Sequence, residues 1–127
     1  MSRQTTSSSS PYEASIGFSR AVRDGRYVAV SGTAPVWPDG HVDPDPLAQA
    51  RRCWEIALAA LADLGGGPEH VIRTRQFLVS RQPAEAAAQA HGEVFGAVRP
   101  ASTMVIVAGL LDDRWQLEIE LDAVLPG

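Results

Sequence analysis

The fold of this chain is decided by residues 99–125, which read Arg-Pro-Ala-Ser-Thr-Met-Val-Ile-Val-Ala-Gly-Leu-Leu-Asp-Asp-Arg-Trp-Gln-Leu-Glu-Ile-Glu-Leu-Asp-Ala-Val-Leu. Residues 101–108 are almost continuously apolar and β-branched, which is typical of a strand buried on both faces. From Trp115 to Val124 apolar and polar residues alternate, which predicts a strand with one buried face. The stretch therefore predicts two strands that are joined by a turn at Asp112-Asp113.

The second of these strands carries carboxylates on its polar face. Glu118, Glu120 and Asp122 follow one another at a period of two, so they repel unless water, cations or a ligand neutralise them. That face is either open to solvent or the wall of a polar cleft. Upstream, Arg73 and Arg75 share one face of another predicted strand. They are either solvated or paired with Glu118 and Glu120 in a polar interior, where a charge must be paired.

The chain before residue 99 alternates strand and helix signals. Residues 18–22 and 27–31 predict a hairpin around Asp24-Gly25. Asp45-Pro46 predicts the start of a helix, with the aspartate as N-cap, and the glycines at 65–67 end that helix. A third strand and a second helix are predicted at 71–80 and 84–98.

The resulting order β-β-α-β-α-β-β predicts an α+β fold, with one sheet and two helices on one face. The helices cover only one side of the sheet. The odd- and even-numbered residues of 101–108, which point to opposite faces of the sheet, are both largely apolar. The second face needs a partner that a chain of 127 residues does not supply. Self-association is therefore predicted.

Bulk composition excludes several classes of protein. The chain has 11 basic and 15 acidic residues, with a net charge of -4, which gives no electrostatic case for binding nucleic acid. No apolar run approaches the ~20 residues of a membrane span. One cysteine excludes an intrachain disulfide and is typical of a reducing cytoplasm. Residues 1–12 are predicted to be a disordered tail that precedes a single domain at 13–127.

Metal, cofactor and nucleophile signals are weak. The three histidines fall in different elements without metal-ligand spacing, so no metal or cofactor is predicted. Cys53 lies in the apolar stripe of the first helix, which favours a buried thiol over a nucleophile. His91 lies on the apolar side of the second helix. This position favours a core or interface histidine over a catalytic one.

Several short segments together resemble a known family. Pro-Ala-x-x-x-Val-x-Val-Ala-x-Leu at 100–110 and Leu-Glu-Ile-Glu-x-x-Ala-Val at 117–124 resemble the closing segment of the Rid family, the reactive-intermediate deaminases also called YjgF proteins. The order and spacing of further segments extend the resemblance to nearly all of the chain after about residue 16. These segments are Ile16-Gly17, Val30-Ser31-Gly32-x-x-Pro35, Ala48-Gln49-Ala50-Arg51 and Val71-Ile72-x-Thr74 to Phe77.

The resemblance implies a chorismate-mutase-like fold and a homotrimer with ligand sites in the clefts between subunits. Glu118 matches the glutamate that holds the attacking water in the Rid deaminases. Ser31 matches a substrate-orienting serine, with the backbone at Gly32 beside it. On residues alone, Ser31-Gly32 is better explained as a turn that ends a strand. The resemblance makes the two interpretations equal.

This chain departs from the family pattern at the position of the deaminase arginine, which directly follows Pro-Ala and clamps the substrate carboxylate. Ser102 stands there. Arg99, Arg20 or Arg114 could supply a replacement cation, and His91 is added to the predicted substrate-binding residues. The family's tyrosine after Ile-Gly and its helical asparagine are also replaced, at Ser19 or its neighbours and at Ala88.

The predicted function is hydrolysis of an imine, an enamine or a related reactive metabolite, with the usual 2-imino-acid deaminase activity weak or absent. Two alternatives stay open. One is a trimeric protein that binds a small metabolite without catalysis. The other is a tailoring enzyme that acts on an aromatic or chorismate-like compound. The expected partners are a small-molecule ligand and two further copies of the chain, without nucleic acid or membrane.

Overall fold

A computed structural model of the chain describes residues 3–8 and 10–127. It contains one mixed six-stranded sheet in the order β1-β2-β3-β6-β4-β5, with two helices on one face. The strands are β1 (Arg3–Thr6), β2 (Ala21–Asp24), β3 (Tyr27–Thr33), β4 (Val71–Leu78), β5 (Ala101–Ile106) and β6 (Leu117–Val124). The helices are α1 (Pro46–Asp63) and α2 (Ala84–Phe95). The predicted α+β architecture is confirmed.

Both helices begin where the sequence predicts. The carboxylate of Asp45 accepts a hydrogen bond from the backbone N–H of Ala48 at 2.9 Å, as an N-cap does. Helix α2 ends three residues before the predicted end at Val98. There the backbone N–H groups of Val98 and Arg99 both donate to the carbonyl of Phe95, which closes a turn. Arg99 then takes a left-handed φ of 57° as the chain turns into β5.

The hydrophobic core lies between the sheet and the helices. The alternation predicted for β6 is confirmed, because buried and half-buried residues alternate along the strand and its core residues are at most 1% exposed. They pack in one cluster with Trp54 of α1 and Phe95 of α2. The core residues of β6 are Leu117, Ile119, Leu121 and Ala123.

The last two strands form near their predicted positions with a turn at Asp112 between them, but they do not pair with each other. Strand β5 pairs in parallel with β4 at the edge of the sheet, and β6 lies between β3 and β4. Two sheet neighbours already satisfy the backbone of β6, so β5 takes the free side of β4. All six residues of β5 are exposed. The predicted burial of this strand on both faces is therefore wrong within a single chain.

The hairpin near the N-terminus is confirmed with a small shift. Asp24 pairs with Tyr27, so the turn residues are Gly25 and Arg26 rather than Asp24 and Gly25. Gly25 adopts the positive φ of 63° that such a tight turn requires.

The segment predicted to be a disordered tail contains an additional strand. Residues 3–6 form β1, which pairs antiparallel with β2, and a π-helical turn follows at Glu13–Gly17. Met1, Ser2 and Ser9 lie outside the described residues. The domain boundary at residue 13 stays a prediction. Among the described residues, neither helix has the length and apolar character needed to cross a membrane.

Candidate active site

One group of functional residues surrounds the carboxylate of Glu118. Alternation along β6 places Glu118 on the sheet face away from the helices. A side chain at Gly32 would put its Cβ 3.0 Å from Oε1 of Glu118, which is tighter than ordinary van der Waals contact. Glycine at position 32 therefore makes room for this carboxylate beside β3. We call Glu118, Gly32, Ser31 and Arg20 the Glu118 cluster.

Arg20 is the cation of the Glu118 cluster. Its Nη1 donates to the carbonyl of Gly32 at 2.7 Å and to the hydroxyl of Thr33 at 2.9 Å. The side chain is only 7% exposed, and burial lowers its pKa, while the charges of Glu13 and Glu118 oppose that effect. No ion pair joins Arg20 to a carboxylate within the described part of the chain. Arg20 therefore acts on Glu118 by the electrostatic attraction of its positive charge rather than by a direct ion pair.

Burial raises the pKa of Glu118, and the charge of Arg20 partly offsets this rise. The neighbouring charge of Glu120 raises the pKa further. A carboxylate with a raised pKa is a stronger base, so it is better suited to take a proton from a bound water.

Ser31 joins the Glu118 cluster with its hydroxyl already engaged. Its Oγ donates to the carbonyl of Ser19 at 2.6 Å, and its backbone N–H donates to the carbonyl of Arg20 at 2.9 Å. The hydroxyl fixes the segment that leads into β2, and its lone pairs remain able to accept a hydrogen bond. The interpretation of Ser31 as a strand-ending residue is wrong, because β3 continues to Thr33 with a register shift after Val30. The interpretation as a ligand contact stays a prediction.

A second group of functional residues joins β4, β5 and α2. The hydroxyl of Thr74 lies 2.8 Å from Oγ of Ser102 and 2.8 Å from Nε2 of His91, and the last two atoms are 3.5 Å apart. Thr74 is fully buried, whereas Ser102 is exposed. We call these three residues the Ser102 cluster.

Thr74 was not among the residues predicted for the site. The signal that could have identified it is a polar pair, Thr74 and Gln76, at alternate positions on the strand face that ends in Leu78, because buried polar groups need hydrogen-bond partners. His91 is the core histidine that the sequence favours, since its ring packs against Phe95 at 4.8 Å and Trp54 at 5.6 Å. Burial lowers its pKa, so the imidazole is neutral at pH 7.

The two clusters lie on opposite faces of the sheet. Ser102 is the register partner of Thr74, whose side chain points to the helices. Glu118 is the register partner of Phe77, at the opposite parity of β4. Within one chain the structure therefore does not bring Ser102 and Glu118 together.

The remaining candidate residues lie apart from both clusters. Arg99 is exposed, and Arg114 is held by Asp112 at 2.8 Å, so Arg20 is the candidate cation that lies beside Glu118. Ala88 is exposed on α2. Burial strongly raises the pKa of the Cys53 thiol, in agreement with the predicted buried thiol. Among the residues that the structure describes, no group of three His, Cys, Asp or Glu side chains could hold a metal ion.

The predicted pairing of arginines with the acidic face is right for one arginine. Arg75 lies 3.1 Å from Glu120 and 3.5 Å from Asp122. In the described part of the chain Arg73 makes no ion pair, and its side chain is exposed. Glu118 takes no part in this pairing, because it lies closer to β3 and Arg20.

Comparison with known proteins identifies the family. A family model described as Endoribonuclease L-PSP matches residues 8–125. The chain belongs to this family. It is the Rid or YjgF family that the sequence resembles. The uncharacterized protein SCO2049 of Streptomyces coelicolor is 39% identical over 117 residues, which cover 91% of this chain and 87% of that protein.

Solved structures of this family share the fold. Rv2704 from Mycobacterium tuberculosis, a member of the YjgF/YER057c/UK114 family, superposes with a TM-score of 0.89 at 34% identity, covering 98% of this chain and 100% of that one. TdcF from E. coli, solved with bound serine, has a TM-score of 0.82 at 26% identity, covering 96% of this chain and 94% of that one. The chain is thus a Rid-family protein with a small-molecule-binding relative.

Proposed function

We propose that this Rid-family protein hydrolyses an imine, an enamine or a related reactive metabolite that lacks a carboxylate. Glu118 holds and deprotonates the attacking water, and Gly32 and Ser31 shape the cleft around it. The observation that carries the proposal is the half-buried carboxylate of Glu118, which is packed on Gly32 and has a pKa raised by burial. Usual 2-imino-acid deaminase activity is expected to be weak or absent.

The proposed cleft lies between subunits of a homotrimer. Strand β5 supports this assembly, since Met104, Val105 and Ile106 are 37–51% exposed at a sheet edge. An exposed apolar edge strand favours association with another chain. In such an assembly the Ser102 cluster of one subunit faces the Glu118 cluster of the next, so the opposite faces of one sheet need not meet.

Ser102 sets the substrate class. A serine hydroxyl forms hydrogen bonds but does not neutralise a carboxylate. A desolvated carboxylate without its cation costs on the order of 3–5 kcal/mol, or about two to four decades in affinity or rate. Arg20 is not expected to replace the missing clamp, because its side chain is only 7% exposed and its Nη1 already donates to Gly32 and Thr33. The ligand of this protein is therefore expected to be a neutral or cationic carbonyl or imine compound.

The family description names a ribonuclease, but RNA cleavage is not the function proposed here. A binding surface for RNA gains affinity by neutralising phosphates with basic side chains. This chain has 11 basic against 15 acidic residues. Four of the arginines already form ion pairs with carboxylates, namely Arg51, Arg52, Arg75 and Arg114.

A coupled assay of ammonia release tests the proposal. Wild type, Ser102→Arg, Glu118→Gln and the double variant are each given 2-aminoacrylate and a neutral imine generated in the assay. Wild type is expected to hydrolyse the neutral imine and to turn over 2-aminoacrylate poorly. Ser102→Arg should recover part of the deaminase activity, and Glu118→Gln should remove it again.

Two outcomes would contradict the proposal. Efficient wild-type turnover of 2-aminoacrylate would show that another cation serves the substrate carboxylate. Equal rates for wild type and Glu118→Gln on every imine would favour the alternative of a metabolite-binding protein. Serine, the ligand of TdcF, carries a carboxylate and should bind the wild type more weakly than Ser102→Arg in isothermal titration calorimetry.

A further inference from the structure

The Ser102 cluster is a connected hydrogen-bond network, which a simple loss of the family arginine would not require. Three polar groups form a continuous chain from the exposed Ser102 hydroxyl, through the buried Thr74 hydroxyl, to the half-buried imidazole of His91. Both direct links measure 2.8 Å, which is a normal hydrogen-bond length for these groups. A polar chain of this kind connects the surface of the sheet edge to a base in the core.

We propose that Ser102, Thr74 and His91 form a proton relay that serves the ligand held at Glu118. The proposal rests on the hydrolase function above, because it needs a ligand in the cleft between subunits. Ser102 is the catalytic residue that touches the ligand. Thr74 and His91 are positioning residues that act through it.

The hydrogen-bond inventory allows the chain to run in two directions. A threonine hydroxyl has one proton, so Thr74 donates either to Ser102 or to His91. With the Nε2–H tautomer of His91, Thr74 accepts from the imidazole and donates to Ser102. With the Nδ1–H tautomer, Ser102 donates to Thr74, and Thr74 donates to Nε2. Switching between the two tautomers changes whether Ser102 presents a donor or an acceptor to the ligand.

The proton transfer balances without any further reactant. Water attacks the carbon of a protonated imine, and Glu118 takes one proton from this water and passes it to the nitrogen. As the carbon–nitrogen bond breaks, the carbinol hydroxyl gives its proton to Ser102, Ser102 gives its own to Thr74, and Thr74 gives its own to Nε2 of His91. The imidazolium returns its proton by the same path to the bound ammonia, and the carbonyl product and ammonium then leave.

His91 suits the role of acceptor in this step. Its ring faces aromatic and hydroxyl groups, namely Trp54 of α1, Phe95 of α2, Thr74 of β4 and Ser102 of β5. Burial is the cause of its lowered pKa, and no charged side chain of the described residues contributes to the shift. The imidazole is thus neutral and able to accept a proton at pH 7.

The relay also restricts the ligand. A group in contact with Ser102 must be able to give up a proton, as a hydroxyl or an N–H does, whereas a carboxylate has none to give. The same serine therefore accounts for two properties. It excludes carboxylate substrates, and it passes a proton from the ligand toward Thr74 and His91.

The first experiment follows the ring nitrogens of His91 by NMR across a pH titration of the whole protein. His91 should titrate below pH 6.5, and its Nε2 signal should shift in Thr74→Val, which keeps the shape of the side chain but removes the hydroxyl. Thr74→Ser keeps the hydroxyl and should leave the signal near its wild-type position. An unchanged Nε2 signal in Thr74→Val would overturn the relay whatever the substrate is.

The second experiment measures the pH dependence of ammonia release from a neutral imine. Wild type should lose activity on the acid side with the pKa that NMR assigns to His91, which separates this limb from the titration of Glu118. Thr74→Val and His91→Phe should lower kcat by about 10²-fold and remove that limb. His91→Phe keeps an aromatic ring packed against Phe95. Thr74→Ser keeps the hydroxyl and should keep the wild-type pH profile. The matched control is His41→Gln, a histidine change in a loop, which should also leave the pH profile unchanged.

The outcomes separate the relay from the hydrolase function. Turnover that depends on Glu118 but is indifferent to Thr74→Val and His91→Phe would overturn the relay and leave the proposed function intact. No turnover by the wild type on any neutral imine would overturn both the function and the catalytic use of the relay. Loss of activity in Thr74→Val with wild-type activity in Thr74→Ser supports the relay.

Discussion

The properties of Glu118 follow from two neighbours rather than from its place in the sequence. The absence of a side chain at Gly32 lets the carboxylate pack against β3, where burial raises its pKa. Arg20 holds the backbone at Gly32 and contributes a positive field that limits this rise. Glu118 is thus kept as a base at some cost in stability, which is the common trade-off of functional sites.

Replacing Glu118 by the isosteric glutamine should therefore raise the melting temperature at pH 7. The folded-state pKa lies above the ordinary value of 4.5, so the unfolded chain gains more from ionisation, and stability falls as pH rises between the two values. Below pH 4.5 both states are protonated and the difference should vanish. Differential scanning calorimetry of wild type and Glu118→Gln at pH 4 and pH 7 measures this directly.

The exposed Glu85 of α2 provides the control for that comparison. Glu85→Gln should change stability by no more than about 0.5 kcal/mol at either pH. A lower melting temperature for Glu118→Gln at pH 7 would show that Arg20 more than compensates for the burial of the carboxylate.

At the scale of elements, β4 and β6 are neighbouring interior strands of the sheet and carry different chemistry on their two faces. The face toward the helices is apolar apart from buried Thr74 and Gln76. The other face carries the ion pairs of Arg75 with Glu120 and Asp122. These carboxylates sit at adjacent same-face positions on β6, so one guanidinium relieves the repulsion between them.

Arg75→Ala should destabilise the protein by about 1 kcal/mol, since it removes two ion pairs and leaves two neighbouring carboxylates unneutralised. Arg73→Ala is the matched control on the same strand face. Its side chain is exposed, so this substitution should lower the free energy of unfolding by no more than about 0.5 kcal/mol. Urea unfolding of the two variants checks the order, and equal stabilities would show that the Arg75 pairs are fully screened.

At the scale of the whole molecule, β5 is the feature that one chain leaves unsatisfied. It is an apolar edge strand with every residue exposed, paired only with β4. Natural proteins protect such edges, so we expect a neighbouring subunit to cover this one.

Val105→Lys should therefore dissociate the proposed homotrimer, because it places a charge on an apolar interface. Size exclusion with light scattering should give about three times the 13.5 kDa chain mass for wild type and a smaller species for the variant. Ala62→Lys, an exposed change on α1, should leave the assembly unchanged. A wild-type mass of a single chain would contradict the assembly and the shared cleft with it.

The sequence by itself determined the helices, most strands and the buried face of β6. These features depend on local signals, such as the Asp45 N-cap and the alternation from Leu117 to Ala123, and they were confirmed because local periodicity reports which face is buried. The spacing of the family motifs also led to the family itself. Glu118 and Ser102 were identified as candidates by the same motifs.

Only the tertiary structure decided which strands pair and which candidates meet. The apolar run at 101–108 shows that β5 must be covered, but apolarity does not say whether its own chain or another covers it. Strand pairing depends on the backbone groups left free elsewhere in the sheet, so the pairing of β5 with β4 could not be read locally. The same non-local pairing places Thr74 between Ser102 and His91 and puts Glu118 on the opposite face, because sheet register, rather than sequence distance, decides which side chains are neighbours.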